Sequence, residues 1–208
     1  MLINSNDKEF KILENFKLSK PQVIKISDYI NLLDTHNKVS NLVGKSTMLN
    51  PIKSHILDSI QISKVITEKN SRIIDMGTGA GLPGIVLSIF GYKNLFLVDS
   101  NGKKTRFLEQ VTRRLNLSCK IINSRIENLK EKNFDYVVSR ALASLERLLF
   151  YSSFLSNKKT KLIFLKGQKV KEEIINAKKK WVFDYKLRKS LSDRRGSVLL
   201  ISNFKRKL

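Results

Sequence analysis

The stretch 71–84, SRIIDMGTGAGLPG, constrains this chain more than any other. Two apolar residues, Ile73 and Ile74, lead into Asp75, and glycines follow at Gly77, Gly79, Gly81 and Gly84, opening an apolar run, LPGIVLSIF. A short strand that enters a glycine-rich turn and then a helix is the opening unit of a nucleotide-binding α/β sheet. The glycines permit positive φ and lack Cβ atoms, so main chain can approach a ligand closely. Dinucleotide sites set a pyrophosphate on the helix N-terminus, where an early carboxylate gains little. A cationic ligand that carries an amino acid suits Asp75 better. The pattern favours S-adenosylmethionine, with NAD or FAD as the alternative, because Gly79, Gly81 and Gly84 also satisfy G-x-G-x-x-G.

From residue 71 onward, apolar runs alternate with helical periodicity, the pattern of a parallel sheet with crossovers. Strands are predicted at 72–76, 94–99, 119–123, 134–139, 161–166, 182–187 and 197–203, and helices near 82–90, 103–115, 144–155 and 168–179. Only KSLSDRRGS joins the last two strands, which predicts an antiparallel hairpin. The expected fold is α/β: a Rossmann-like, doubly wound, seven-stranded sheet that ends in an antiparallel hairpin. Residues 1–70 read as a helical N-terminal extension and 71–208 as the cofactor-binding domain. In 19–34, Ser19 caps, Pro21 sits in the first turn, and Val23, Ile26, Ile30 and Leu33 recur at helical spacing. A second helix is expected from Asn50-Pro51 with Ile52, Ile56 and Ile60 as its stripe, after a polar connection, HNKVSNLVGKST.

Charge sets the class of partner. Among 208 residues, 40 Lys and Arg oppose 18 acids, a formal net charge of +22, which points to a polyanion, above all nucleic acid. With 41% hydrophobic residues the chain can fill a core. The single cysteine, Cys119, permits no internal disulfide and reads as a structural thiol in a strand. No apolar run is long enough to span a bilayer, and MLINSNDKEF lacks the apolar centre of a secretory signal. A cytoplasmic, monomeric, metal-free protein is the expectation.

Within this frame the strand ends carry the chemistry. Asp99, closing the second strand, follows Gly81 at nearly the ~20-residue separation at which an acid meets a ribose. The segment NSRIENL after the third strand places Ile126 and Glu127 toward an adenine ring. After the fourth strand stand Ser139, Arg140 and Ala141, where many amino-group methyltransferases carry an Asn/Asp-Pro-Pro-aromatic sequence. Its absence indicates a target atom that needs no proton acceptor, such as the free lone pair of guanine N7. Arg140 suits a phosphate or a guanine edge. His55 and Asp58, three apart on a helix, share a face. With His36 the only other histidine, they make a poor metal set. Lys103, Lys104, Lys166, Arg194 and Arg195 are candidate RNA contacts.

The chain resembles the bacterial RsmG (GidB) family of 16S ribosomal RNA guanine-N7 methyltransferases. The likeness runs from about residue 20 to the C-terminus, on HNKVSNL, HILDSI, DMGTGAGLPG, LVDSNGKKTRFL, SRIENL, SRALASLERLL and LKG. It implies a class I methyltransferase fold, S-adenosyl-L-methionine as cofactor, and 16S rRNA or the 30S subunit as partner, with guanine 527 as the target. It also implies cofactor contacts at Gly77, Leu82, Ile126, Glu127 and Arg140, beside the Asp75, Gly79, Gly81 and Asp99 read from the residues. Through its H-x-x-D-S segment it gives His55 and Asp58 positioning roles beside Arg140. His36 and Ala80 are departures, at positions where the family often has an aromatic and a proline. Two other readings remain at this point: an NAD- or FAD-dependent oxidoreductase, and a basic ribosome-assembly protein without catalysis.

Overall fold

The computed structural model describes residues 8–207. The first seven residues, on which the reading of the N-terminus as no secretory signal partly rests, lie outside them. Seven strands form one sheet in the order β3-β2-β1-β4-β5-β7-β6. They are β1 (Ile73–Met76), β2 (Leu95–Asp99), β3 (Cys119–Asn123), β4 (Tyr136–Arg140), β5 (Lys161–Lys166), β6 (Trp181–Lys189) and β7 (Ser197–Arg206). β1 through β5 are parallel, and β7 runs antiparallel to both β5 and β6. The expected hairpin is therefore present. β7 sits inside it, between β5 and β6, because its central residues Val198, Leu199 and Ile201 are apolar and buried, whereas β6 is exposed from Asp184 onward. The strand order reverses across β1, so the C-terminal ends of β1 and β4 open a crevice, the usual ligand position in such sheets.

Helices cover both faces. They are α1 (Lys20–Ser40), α2 (Asp58–Ile60), α3 (Gly84–Ile89), α4 (Gly102–Arg114), α5 (Leu145–Leu155) and α6 (Val170–Ala177). α5 and α6 bury Leu148, Leu149 and Ile174 against Ile74, Val137 and Phe164 on one face. On the other face α3 and α4 share one apolar cluster with α1 and the short helical turns on either side of it, through Ile26, Ile30, Leu33, Ile56 and Ile60. The apolar stripe of the N-terminal segment thus meets the face of the sheet that would otherwise be wet.

Two N-terminal elements differ from expectation. α1 begins at the expected cap, where the Ser19 N–H donates to Gln22 Oε1 at 2.9 Å. It then continues to Ser40, through residues read as a connection. Asn37 explains this, because its buried side chain accepts from the Val43 N–H at 2.9 Å and turns the chain only after the helix has ended at Asn41 in the left-handed conformation (φ 44°). The second segment keeps its stripe, with Ile52, Ile56, Ile60 and Ile62 all fully buried. It is not one regular helix, however. A wide π-helical turn (Ile52–Leu57) passes through α2 into a 3-10 turn (Gln61–Lys64). Such π turns are frequent at functional sites, and this one carries Ser54 and His55, with Asp58 directly after it, toward the end of β4.

Candidate functional site

The glycine turn is folded by its neighbours. Gly77, Gly79 and Gly81 adopt φ of 62°, 59° and 95°, a region in which Cβ sterics penalise other residues. Asp75 is completely buried, and its Oδ2 accepts from Thr78 Oγ1 at 2.6 Å and from the Gly84 N–H at 2.8 Å. One carboxylate oxygen therefore ties the start of the turn to the start of α3. Burial raises the acid to a pKa of about 7 against these two hydrogen bonds, while Oδ1 is left without a partner. Asp99 caps the other side: its Oδ2 accepts from the Gly79 N–H at 3.0 Å and its Oδ1 from the Asn101 N–H at 2.9 Å. From α1, Tyr29 donates its buried hydroxyl to the Ala80 carbonyl at 2.8 Å.

The glycines do different work. A Cβ on Gly77, Gly81 or Gly84 would lie 2.4, 2.3 or 2.7 Å from Leu142, Ile85 or Leu97 respectively, so these three let the protein pack on itself. A Cβ on Gly79 would meet nothing nearer than the Gly77 carbonyl at 3.9 Å. Its missing side chain leaves room for something outside the chain.

At the end of β4, Ser139 donates to the Met76 carbonyl at 2.9 Å and locks β4 to the turn. Arg140 then reaches the π turn. Its Nη1 donates to the Ser54 carbonyl at 3.0 Å and to Asp58 Oδ2 at 3.2 Å, and its Nη2 lies 3.2 Å from His55 Nδ1. The structure thus brings together His55, Asp58 and Arg140 from two distant parts of the sequence. Burial first, and then Arg140, push the His55 pKa down to about 3. The ring is neutral, with Nδ1 accepting and the proton on Nε2, which is buried and has no partner. The next residue, Ala141, is held at φ 54° at the rim, a conformation that costs a non-glycine residue about 1–2 kcal/mol.

Asp58 faces two ways. Its Oδ1 accepts from Ser192 Oγ at 2.6 Å and from Gln61 Nε2 at 3.0 Å. Gln61 also accepts from the Leu191 N–H at 2.9 Å and donates to Ser190 Oγ at 3.1 Å. The β6–β7 loop is thereby latched to the N-terminal segment. Together they wall a cleft of about 1350 Å³ that runs from Gly77–Ala80 past Arg140 to exposed Arg194 and Arg195.

The other expected residues distribute along the strand ends. Leu82 and Ile126 are buried, and Leu82 also borders the cleft. Glu127 is exposed in the short turn Ile126–Asn128 after β3. Lys104 borders the cleft, whereas Lys103 is exposed on the first turn of α4 outside it. Lys166 departs from the expectation of a free phosphate contact. Only 9% of its side chain is exposed, and its ammonium is bound to Glu173 at 2.7 Å and to the Ala143 carbonyl at 3.0 Å. Cys119 is half-buried, with its pKa pushed up to about 11 by burial, as an unreactive thiol would be. Tyr29, Gln61 and Ser192 were not legible as site residues, because each acts through a partner more than fifty positions away.

Known proteins resemble this chain over most of its length. The family model described as rRNA small subunit methyltransferase G matches residues 22–198. The curated protein named ribosomal RNA small subunit methyltransferase G from Orientia tsutsugamushi (strain Ikeda) is 40% identical over 187 residues, covering 90% of this chain and 93% of its own length. The protein of the same name from Rickettsia typhi is 38% identical over 173 residues, with 83% and 90% covered. Among solved structures, a TehB-like SAM-dependent methyltransferase from Corynebacterium glutamicum has a TM-score of 0.55 at 14% identity, covering 70% of this chain and 86% of that one. M. jannaschii TYW2 in complex with AdoMet has a TM-score of 0.53 at 17% identity, covering 72% and 77%. At such identities the structural likeness speaks for the fold. No helix among the described residues is long and apolar enough to cross a membrane.

Proposed function

Because this chain belongs to the rRNA small subunit methyltransferase G family, we propose that it transfers a methyl group to N7 of a guanine in 16S rRNA, at guanine 527. It is an S-adenosylmethionine-dependent methyltransferase of small-subunit rRNA, and the finer assignment rests on what the cleft lacks. The carboxylates that border it are Asp58 and Asp193. Asp58 is paired with Arg140 and Asp193 with Arg195. His55 presents a protonated nitrogen and spends the other on Arg140. Among the described residues that border the cleft, no carboxylate is unpaired. Guanine N7 has a lone pair at neutral pH and needs no proton removed, unlike an exocyclic amine.

The residues present fit the cofactor. Gly79 leaves an open cradle. Two of the buried polar atoms without a partner, Asp75 Oδ1 and His55 Nε2, complement the ammonium and carboxylate of an amino-acid ligand. Each carboxylate oxygen offers about two acceptor sites, so Asp99, which uses one on each oxygen for the turn, retains one on each for a pair of ribose hydroxyls. Ile126 would pack on the adenine, with Glu127 and the backbone beside it, and Gly77, Gly81 and Leu82 would shape the turn beneath. When bound, the cofactor supplies a methyl group on a sulfonium. The chain's contribution is alignment: a nucleophile held in line with its target gains up to ~7–11 kcal/mol of barrier reduction. Arg140, neutralised by Asp58, positions without repelling a sulfonium. Lys103, Lys104, Arg194 and Arg195 would hold the RNA backbone. The boundary at 70/71 then separates a segment that positions the active-site loops from the domain that binds cofactor. The protein acts as a cytoplasmic monomer without a metal.

The test is methyl incorporation from labelled cofactor into under-methylated 30S subunits and 16S rRNA, followed by borohydride/aniline cleavage, which cuts at N7-methylguanine. A cut at guanine 527 is expected. Incorporation at another atom, or tight RNA binding with no incorporation, would overturn the assignment.

A further inference from the structure

A second depression, of about 680 Å³, opens at the end of the sheet away from the cleft. Thr160, just before β5, borders it, and Lys166, at the far end of β5, borders the cleft. At about 3.3 Å per residue the two sites are about 20 Å apart. Phe150 and Phe154 stand one turn apart on α5, with ring centroids 4.9 Å apart and planes at 85°. They remain 40% and 38% exposed. Buried Trp181 and half-buried Phe204 close the depression, 6.3 Å from each other. Helix propensity gives no reason to place two phenylalanines on the wet side of α5, and large exposed apolar patches mark interaction surfaces.

The rim identifies the occupant. Lys158, Lys205 and Arg206 border the depression and are exposed, and among the described residues none of the three makes an ion pair. Among the described residues no Asp or Glu borders it. Aromatic faces beside unpaired cations suit nucleobases and phosphates, as in sequence-tolerant single-strand binding. A second copy of this chain, which carries a net charge of +22, would meet like charge there. We propose that this surface binds a single-stranded or looped segment of the RNA substrate, distinct from the segment that enters the cleft. The proposal rests on the reading of this chain as an rRNA-modifying enzyme, and it makes recognition depend on two RNA segments held about 20 Å apart.

The test uses the full-length protein and a fluorescent, single-stranded rRNA oligonucleotide of about twelve nucleotides, read by anisotropy. A 5-iodouridine version is photocrosslinked and the peptides are mapped. The double variant Phe150→Ala/Phe154→Ala is expected to bind about tenfold more weakly or worse and to lose crosslinks to α5. Its affinity for S-adenosylhomocysteine should be unchanged, which also reports that it folds. Phe150→Tyr/Phe154→Tyr should restore binding. Affinity within about twofold of the parent, with crosslinks confined to 190–196, would overturn the second surface and leave the rRNA reading standing. If the parent bound no RNA at all, that reading and this one would fall together. Self-association of the parent that the double variant abolishes would assign the surface to a second copy and refute the proposal.

Discussion

Gly79→Ala and Gly81→Ala separate a glycine kept for a ligand from one kept for the fold. At Gly79 the added methyl meets nothing within 3.9 Å, so the stability cost is that of φ 59° alone, about 1–2 kcal/mol. For a chain of this size that lowers the melting temperature by roughly 2–8 °C. At Gly81 the same methyl lands 2.3 Å from Ile85 and 2.8 Å from Leu108 at φ 95°. Overpacking then adds about 1–3 kcal/mol to the backbone term, enough to unfold much of a marginally stable protein. Calorimetric titration with S-adenosylhomocysteine beside a melting curve reads both effects. Gly79→Ala should be folded and lose about five- to 150-fold in affinity, since its methyl occupies the open cradle above the turn; a methyl lodged against a bound ligand costs on the order of 1–3 kcal/mol. Wild-type affinity in a folded Gly79→Ala protein would refute the cradle. A Gly81→Ala protein as stable as Gly79→Ala would refute the packing argument.

Three further outcomes follow from the geometry. Asp75, held near pKa 7 against an ordinary 3.8, keeps its proton in the native state after the unfolded chain has lost it, so it lowers stability as pH rises between those values. His55, near 3 against an ordinary 6.5, is neutral in the native state where the unfolded chain is protonated, so it lowers stability as pH falls below 6.5. From about pH 4 to 6.5 the two slopes oppose, each near 1.4 kcal/mol per unit. Asp75→Asn should therefore steepen the urea-measured rise of stability with pH by about that amount, and a profile parallel to wild type would refute it. Gln61→Leu, which removes the latch to Ser190 and Leu191, should raise KM for RNA several-fold, speed tryptic cleavage at Arg194–Arg195, and leave cofactor affinity alone. Unchanged proteolysis would show that the loop does not depend on Gln61. Replacing Arg194 and Arg195 with Gln should flatten the log–log salt dependence of RNA binding by about 1.4, and an unaltered slope would place the phosphates elsewhere.

Most of the sheet was legible because its strands carry short apolar runs set off by turn residues, from IIDM to SVLLIS, although β6 is mostly polar beyond Phe183. The glycine turn was legible because its three positive φ angles cost glycine no Cβ clash. The π turn was not. An apolar stripe of Ile52, Ile56 and Ile60 fits a regular helix equally well, and the partner that holds Ser54 and Asp58, Arg140, lies more than eighty positions away. Lys166 looked free at a strand end because its partner, Glu173, is set by how α6 packs back on β5. Asp75 reads in sequence as a ligand for the cofactor, and the fold gives one of its oxygens to the turn first.

The most direct measurement is the modified atom itself. Digestion of 16S rRNA methylated by this protein, followed by mass spectrometry of the nucleosides, should yield 7-methylguanosine as the sole new product. Its amount at limiting cofactor should fall with Gly79→Ala and persist in Asp193→Asn, as expected when no proton acceptor takes part. A methylated exocyclic amine, or no methylated nucleoside at all, would contradict the account.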